Sequence, residues 1–132
     1  MLYMLDTNIC IYLLKGQPQK VLDRLAQEDV GNVVMSCLTL AELRHGLEIQ
    51  RAQVRKKDEA AFEALLQDIP ALDFDQDAAK AFGILAATGK LRRSHAIDNL
   101  IAAHAISQQA ILVTNNEKDF KGYAGLVVEN WA

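Results

Sequence analysis

The chain has 132 residues, of which 51% are apolar and 23% are charged, and its formal net charge is −3. This length suits one domain over residues 1–132, and the composition excludes intrinsic disorder, collagen-like repeats and low-complexity sequence. No apolar run approaches the roughly 20 residues of a transmembrane helix, and the N-terminus lacks the features of a secretory signal. Cys10 and Cys37 each lie in an apolar run, which predicts buried free thiols and a cytoplasmic location.

Short apolar runs alternate with helical patterns along the whole chain. In chain order, the pattern predicts a strand at 2–5, helices at 8–15 and 18–27, a strand at 33–37, a helix from 39 to about 47, a charged stretch at 51–59, a helix at 60–66, a strand at 71–74, a helix at 78–88, a basic loop at 89–94, a helix at 96–108, a strand at 111–114, a short helix at 117–120 and a strand at 126–129. Asn8 is expected to cap the first helix, and Pro18 to occupy the first turn of the second.

This alternation predicts an α/β protein with βαβ units. We expect a three-layer domain with a central, mainly parallel sheet of about five strands and helices on both faces. In open sheets of this class, functional sites form beyond the carboxyl ends of the strands. The residues that directly follow each predicted strand are therefore the candidates for chemistry.

Three acidic residues occupy such places. Asp6 follows the first strand, Glu42 lies in the first turn of the helix after the second strand, and Asp98 heads an apolar helix stripe that continues at Ile101. If they converge, each pair about 4 Å apart costs about 4 kcal/mol at an effective dielectric near 20. Only Arg44 lies near them in sequence, so a hard divalent cation such as Mg²⁺ or Mn²⁺ is the better counter-ion.

Each acid also has a simpler interpretation. Thr39 and Glu42 have the spacing of a capping box, Asp98 suits a helix N-terminus through the helix dipole, and Asp6 can belong to an ordinary turn. Taken singly, these interpretations compete with a metal site. The occurrence of all three acids at one predicted edge of one sheet favours the site.

Four sequence blocks together resemble the PIN domain of VapC-type toxins. The blocks are Met4-Leu-Asp6-Thr-Asn8, Thr39-x-x-Glu42-Leu, Asp98-x-x-Ile101-Ala-Ala-His104-Ala and Val113-Thr-Asn-Asn116-x-x-x-Phe120. They occur in order over essentially the whole chain, and Trp131 near the end is also similar to that group. The resemblance implies a PIN-like fold.

The resemblance further implies a Mg²⁺-dependent endoribonuclease, the toxin of a type II toxin–antitoxin pair. Such a toxin would cleave structured RNA, tRNA among the candidates, and inhibit translation. Asp6 and Asp98 would be metal ligands, with Mn²⁺ as an alternative ion, and Glu42 would complete the catalytic acidic centre. Thr114 would orient the cluster, and Asn8 would support Asp6.

The resemblance also implies partners. These are a VapB-type antitoxin, a second copy of the chain in a homodimer, and operator DNA reached only through the antitoxin, with no membrane. The apolar helices around 9–14 and 21–25 would supply the surfaces for the homodimer and for the antitoxin's C-terminal segment.

The chain departs from the PIN pattern at one catalytic position. Asn116 fills the slot in which many PIN domains carry a fourth acid, so we assign it to the catalytic group as a neutral residue. Asp119, three residues later, could supply a more distant fourth carboxylate. The loop before Asp98 also lacks the Gly-Pro-rich form common in the group.

Two basic clusters bear on RNA binding, because phosphate contact needs local positive charge more than a basic total. Lys90, Arg92 and Arg93 have no acidic partner in sequence before Asp98 and are predicted to bind RNA, with His95 contacting phosphate. The second cluster, around 51–57, is expected to be a solvated helix face that pairs with Asp58, Glu59 and Glu63.

Other interpretations remain beside the nuclease. Asn116 is the one feature that favours a catalytically weak, PIN-like module that binds RNA or protein. A receiver-type phosphoacceptor domain would need paired acids after the first strand, and Asp6 has no acidic neighbour. His104, inside an Ala-rich helix, is expected to be a core residue.

Overall fold

The structure is a computed structural model that describes all 132 residues. Its elements are β1 (Tyr3–Leu5), α1 (Thr7–Lys15), α2 (Gln19–Ala26), β2 (Val33–Ser36), α3 (Cys37–Glu48), α4 (Ala52–Asp68), β3 (Ala71–Leu72), α5 (Gln76–Ala87), α6 (Ala96–Ser107), β4 (Ile111–Val113), a 3-10 helix (Glu117–Phe120) and β5 (Val127–Glu129). None of the helices has the length and apolar character needed to cross a membrane.

The five strands form one sheet in the order β3-β2-β1-β4-β5, and every pairing is parallel. From β1, the chain first adds β2 and β3 on one side and then crosses over to add β4 and β5 on the other. The strand order therefore reverses at β1, where the register sets Met4 between Val34 and Leu112. Ligand sites in open parallel sheets lie at such a reversal, beyond the carboxyl ends of the strands.

Helices cover both faces of the sheet because the strands are apolar on both faces. On one face, Tyr3 and Leu5 pack with residues of α1 to α4 around Phe62. On the other face, Met4 packs with residues of α5, α6 and the 3-10 helix. This confirms the predicted three-layer α/β architecture, with a sheet that is wholly parallel.

The helix starts differ from the sequence predictions. Asp6, not Asn8, caps α1, and its carboxylate accepts a hydrogen bond from the Thr7 N–H. Pro18 stands at the N-cap of α2, one position before the predicted first turn. Helix α3 begins at Cys37 because Ser36 caps it by accepting from the Leu38 N–H.

Two elements differ in length from the sequence predictions. The charged stretch predicted at 51–59 belongs to α4, which runs unbroken from Ala52 to Asp68. Strand β3 covers only Ala71 and Leu72, half the predicted length. Tertiary contacts explain both differences: α4 packs Phe62 into the core, and β3 pairs with β2 through two residues only.

Candidate active site

Asp6 lies at the centre of the sheet's carboxyl edge. It follows β1 directly, and only 5% of its surface is exposed. Its Oδ1 accepts a hydrogen bond from the Thr7 N–H at 2.9 Å, and its Oδ2 accepts one from the Thr114 hydroxyl at 2.8 Å. These bonds come from the start of α1 and the end of β4, so two elements fix the orientation of the carboxylate.

Burial raises the pKa of Asp6 from 3.8 to about 6, against the lowering effect of the hydrogen bonds from Thr114 and Thr7. The charges of Asp98 and Glu42 raise it further. The structure therefore brings together the three acids that the sequence places far apart.

Glu42 reaches this edge from α3. It is the sixth residue of the helix, in the second turn and not the first. Its Oε1 accepts a hydrogen bond from the Thr7 hydroxyl. The capping-box interpretation is wrong, because Ser36 caps the helix and Thr39 is buried inside it.

Asp98 lies in the first turn of α6 and is half-buried. Burial is the main cause that raises its pKa; the charge of His95 opposes this, and the charges of Asp119 and Glu42 add to it. No ion pair with a basic side chain reaches Asp6, Glu42 or Asp98.

An acidic centre without a basic partner fits a divalent cation. Carboxylate oxygens are the preferred ligands of hard divalent ions, and buried charges are costly unless they are paired or metal-bound. Each oxygen of Asp6 accepts only one hydrogen bond from the protein, so lone pairs remain for an ion. The donor set of Asp6, Glu42 and Asp98 is therefore compatible with a metal site.

The residues after β4 surround Asp6 in a fixed loop. The Thr114 hydroxyl donates to Asp6 and accepts from the Asn116 N–H at 3.0 Å. Asn8 Oδ1 accepts from the Asn115 N–H at 3.3 Å, so Asn8 supports this loop and makes no hydrogen bond to Asp6 itself. Asn116 is exposed, and its side-chain amide makes no hydrogen bond within the chain.

In the basic loop before α6, two of the three basic side chains are unpaired and the third forms an ion pair. Lys90 and Arg93 are exposed and form no ion pair. Arg92 is half-buried, and its Nη1 lies 3.0 Å from Asp119 Oδ1. The sequence showed no acidic partner for Arg92 because Asp119 comes 27 residues later and only the fold brings it near.

The other basic cluster also pairs differently from the prediction. Glu59 and Glu63 of α4 pair with Arg44 of α3, at 3.4 and 2.9 Å, and not with the bases of their own helix. Within the cluster, only Arg55 is paired, to Glu48.

Sequence patterns missed two features of the site. Thr7 donates hydrogen bonds to both acids, from its N–H to Asp6 and from its hydroxyl to Glu42. Its position directly after Asp6 is the sequence feature that could have revealed this role. A groove of about 260 Å³ lies between α1, α3 and α4, and half of its lining residues are hydrophobic, Leu47 and Phe62 among them. Thr7 and Glu42 also line this groove, so it leads to the acidic centre.

The fold and the centre define a class: parallel α/β proteins whose sheet edge gathers carboxylates suited to a metal ion. The sequence matches the PIN domain family model over residues 3–126. It is 36% identical over 132 residues to the tRNA(fMet)-specific endonuclease VapC of Shigella flexneri, covering 98% of each chain. It is 38% identical to ribonuclease VapC2 of Haemophilus influenzae, covering 98% of this chain and 97% of that protein.

Solved structures agree with the sequence matches. The chain superposes on the structure of VapBC2 from Rickettsia felis bound to a promoter DNA fragment, with a TM-score of 0.87 and 32% identity over the full length of both chains. It superposes on DNA-bound VapBC from Salmonella typhimurium with a TM-score of 0.85 and 33% identity, again over both full chains.

The protein belongs to the PIN-domain family. Within it, the chain is a VapC-type ribonuclease of the VapBC toxin–antitoxin systems. The expected family, fold and enzyme class are thereby confirmed. The alternative of a module without turnover rested on Asn116 alone, and the matched relatives are ribonucleases.

Proposed function

We propose that the chain is a Mg²⁺-dependent endoribonuclease whose catalytic residues are Asp6, Glu42 and Asp98. One observation supports this most: three carboxylates, directly after β1, in α3 and in the first turn of α6, lie close enough for Asp98 and Glu42 to raise the pKa of Asp6, and no basic side chain forms an ion pair with any of them. Mg²⁺ suits all-oxygen ligands, and Mn²⁺ is the alternative ion. When bound, such an ion polarises the phosphodiester group and promotes attack by water.

The chain's own residues hold this centre in place. Thr114 and Thr7 orient Asp6, and Thr7 also holds Glu42, so both carboxylates are positioned before RNA arrives. Asn116 is exposed beside this centre, and its side-chain amide makes no hydrogen bond within the chain, so it can donate to a phosphate oxygen. Asn8 keeps the loop that carries Asn116 against α1.

RNA binding is assigned to the loop between α5 and α6. Lys90 and Arg93 are exposed and unpaired, which suits contact with phosphates near the acidic centre. Arg92 would contribute less directly, because its guanidinium is held by Asp119. Structured RNA is the proposed substrate, and tRNA is the first to test because the Shigella flexneri relative is a tRNA(fMet)-specific endonuclease. Cleavage of tRNA would inhibit translation.

The proposed partner is a VapB-type antitoxin whose C-terminal segment lies in the groove between α1, α3 and α4. The hydrophobic half of the groove's lining suits apolar side chains of a partner, and because Glu42 also lines the groove, the segment would reach the acidic centre. Both matched structures are VapBC complexes with DNA. Operator DNA would contact this chain only through the antitoxin.

The test is cleavage of purified tRNA with Mg²⁺, with EDTA as the metal-free control. Asp6→Asn removes one charge from the centre but keeps the shape of the side chain. It should lower the cleavage rate by about 100-fold or more, since loss of a metal ligand exceeds the 10- to 100-fold cost of disturbing a ligand's neighbours. Asp29→Asn, at an exposed acid outside the site, should cleave like the wild type. Equal cleavage by Asp6→Asn and the wild type would refute the proposal.

A further inference from the structure

The loop between β4 and the 3-10 helix is tied to α1 at Asn115. This residue is exposed, yet its Nδ2 donates a hydrogen bond to the Tyr12 hydroxyl at 2.7 Å, and its N–H donates to Asn8 Oδ1 at 3.3 Å. Asn8 and Tyr12 lie four residues apart in α1, so they are neighbours on one face of the helix. One helix face therefore holds both the backbone and the side chain of Asn115.

The segment after β5 also contacts this loop. Asn130 Nδ2 donates to Glu117 Oε1 at 3.0 Å and to Asn115 Oδ1 at 3.4 Å. Asn130 Oδ1 accepts from the Ala132 N–H at 2.8 Å, so both ends of this amide are bonded. Asn130 thereby contacts the two residues on either side of Asn116.

Both partners of the Asn115 side chain are restrained by the core. The Tyr12 ring packs against the core cluster that contains Phe62, which limits the motion of its hydroxyl. Trp131, which follows Asn130, is a buried member of the same cluster. A hydrogen-bonding group that is fixed by core packing restrains its own partner, and this is how supporting residues hold a site in its working geometry.

Asn116 is the residue between these restrained neighbours. Its N–H donates to Thr114 Oγ1 at 3.0 Å, and the Thr114 hydroxyl donates to Asp6, so Asn116 lies beside the acidic centre. Its side-chain amide makes no hydrogen bond within the chain. A neutral amide binds a phosphate oxygen less strongly than a charged group does, so its contribution depends on its orientation.

We propose that Tyr12 and Asn130 are positioning residues, which act through Asn115 to hold the Asn116 amide where it meets the scissile phosphate. The inference rests on the proposed function, because Asn116 meets such a phosphate only if the acidic centre cleaves RNA. The part of Tyr12 and Asn130 is to restrain the loop, and the contact with substrate belongs to Asn116. Displacement of a contacting group by about 1 Å can lower a rate by as much as about 100-fold.

The experiment is steady-state cleavage of purified tRNA with Mg²⁺ by the full chain and its Tyr12→Phe variant. The variant loses the hydroxyl that holds Asn115 and keeps the ring that packs in the core, so it should fold. We expect kcat to fall by about two- to tenfold, the factor that corresponds to one net hydrogen bond, while KM changes by less than about twofold. Tyr3→Phe is the matched control, because it removes a hydroxyl that is bonded to Arg24 instead, and it should cleave like the wild type.

A second substitution decides whether Tyr12 acts through Asn116. In an Asn116→Ala background, Tyr12→Phe should have little further effect on kcat, since the amide that it positions is gone. Asn130→Ala should behave in the same way in both backgrounds. Losses that multiply in the double variants would show a general loosening of the site and would overturn the proposal, as would an unchanged kcat in Tyr12→Phe.

A measurement without catalysis separates failure of this proposal from failure of the proposed function. The backbone ¹⁵N order parameter of Asn116 should fall from about 0.85 towards about 0.6 in Tyr12→Phe and Asn130→Ala, and keep its wild-type value in Tyr3→Phe. Unchanged order parameters in both variants would overturn the positioning role, whatever the cleavage rates. If the order parameters fall but Asp6→Asn cleaves tRNA normally, the proposed function fails, and the catalytic part of this proposal fails with it.

Discussion

Asp6 illustrates how one residue can serve both fold and chemistry. It caps α1 and is bonded to Thr114, yet its burial raises its pKa to about 6. A carboxylate that is costly to ionise in the folded protein is a group that a cation can stabilise strongly.

Metal binding should therefore be visible as thermal stabilisation. We expect Mg²⁺ to raise the melting temperature of the wild type by several degrees relative to EDTA, because binding to the folded state alone stabilises it by about 2.7 kcal/mol at 100 times the dissociation constant. Asp6→Asn should show little of this shift, and in EDTA it should be at least as stable as the wild type. Differential scanning fluorimetry measures both quantities; an equal Mg²⁺ shift in the two proteins would contradict the assignment of Asp6.

His104 is a second buried polar residue, but its role is structural. The Ser36 Oγ lies 2.7 Å from Nδ1 of His104, within hydrogen-bond distance, and accepts a hydrogen bond from the Leu38 N–H. Burial lowers the pKa of His104 from 6.5, in a core position against Phe74. Protonation of His104 would bury a positive charge in the core.

The pH dependence of folding stability follows from the lowered pKa of His104. Because the unfolded chain takes up the proton first, the contribution of His104 to stability is complete above about pH 6.5 and is lost as the pH falls towards the lowered folded-state value. The slope is at most about 1.4 kcal/mol per pH unit for one proton. We expect His104→Gln to reduce the fall in unfolding free energy between pH 7.5 and 5.5, measured by urea denaturation. His45→Gln should keep the wild-type slope, and an unchanged slope in His104→Gln would refute the assignment.

At the scale of elements, the loop between α5 and α6 and the basic turns of α4 offer a direct comparison. Both carry exposed, unpaired bases: Lys90 and Arg93 in the loop, and Lys56 and Lys57 on the helix. The loop directly precedes Asp98, whereas α4 packs on the opposite face of the sheet from α6.

We expect the double variant Lys90→Gln/Arg93→Gln to bind tRNA roughly tenfold more weakly at about 0.15 M salt. The slope of the logarithm of affinity against the logarithm of salt concentration should become shallower by about one to two. Lys56→Gln/Lys57→Gln makes the same change in net charge and should have much less effect. Filter binding with Asp6→Asn as the background prevents cleavage during the measurement. Equal losses from both pairs would show that total charge, and not the loop, controls binding.

At the scale of the whole molecule, the expected homodimer rests less on α1 and α2 than the sequence indicates. Ile9, Cys10 and Val21 lie in the core, and only Ile11 of the apolar residues in these stretches is exposed, at 37%. Other large apolar side chains are exposed elsewhere, namely Met1, Val30, Ile49, Val54, Ile84, Ile97 and Val127.

A contact between two copies of the chain would bury those of the exposed apolar side chains that lie within it. We therefore predict that the isolated chain is a dimer, with twice the monomer mass by light scattering at micromolar concentration. Ile84→Lys and Ile11→Lys test two different surfaces, and the variant that gives the monomer mass identifies the interface. A monomeric wild type would contradict the prediction.

The sequence by itself determined the layers, the five strands and the approximate positions of the helices, except for the first half of α4. Strands that are apolar on both faces must be packed on both sides, and the helices predicted from the sequence periodicity provide that packing. It also singled out Asp6 and Asp98 as candidate site residues, because Asp6 follows β1 directly and Asp98 heads an apolar helix. These features are local in the chain, which is why patterns reveal them.

Only the tertiary structure decided which groups meet. Ser36 rather than Thr39 caps α3, Arg92 pairs with Asp119, and Thr7 links Asp6 to Glu42. The proximity of His95, Asp98 and Asp119 likewise depends on the 3-10 helix, which carries Asp119 to the start of α6. Such contacts join residues distant in sequence, and their energies depend on burial and distance, which no spacing within the chain specifies.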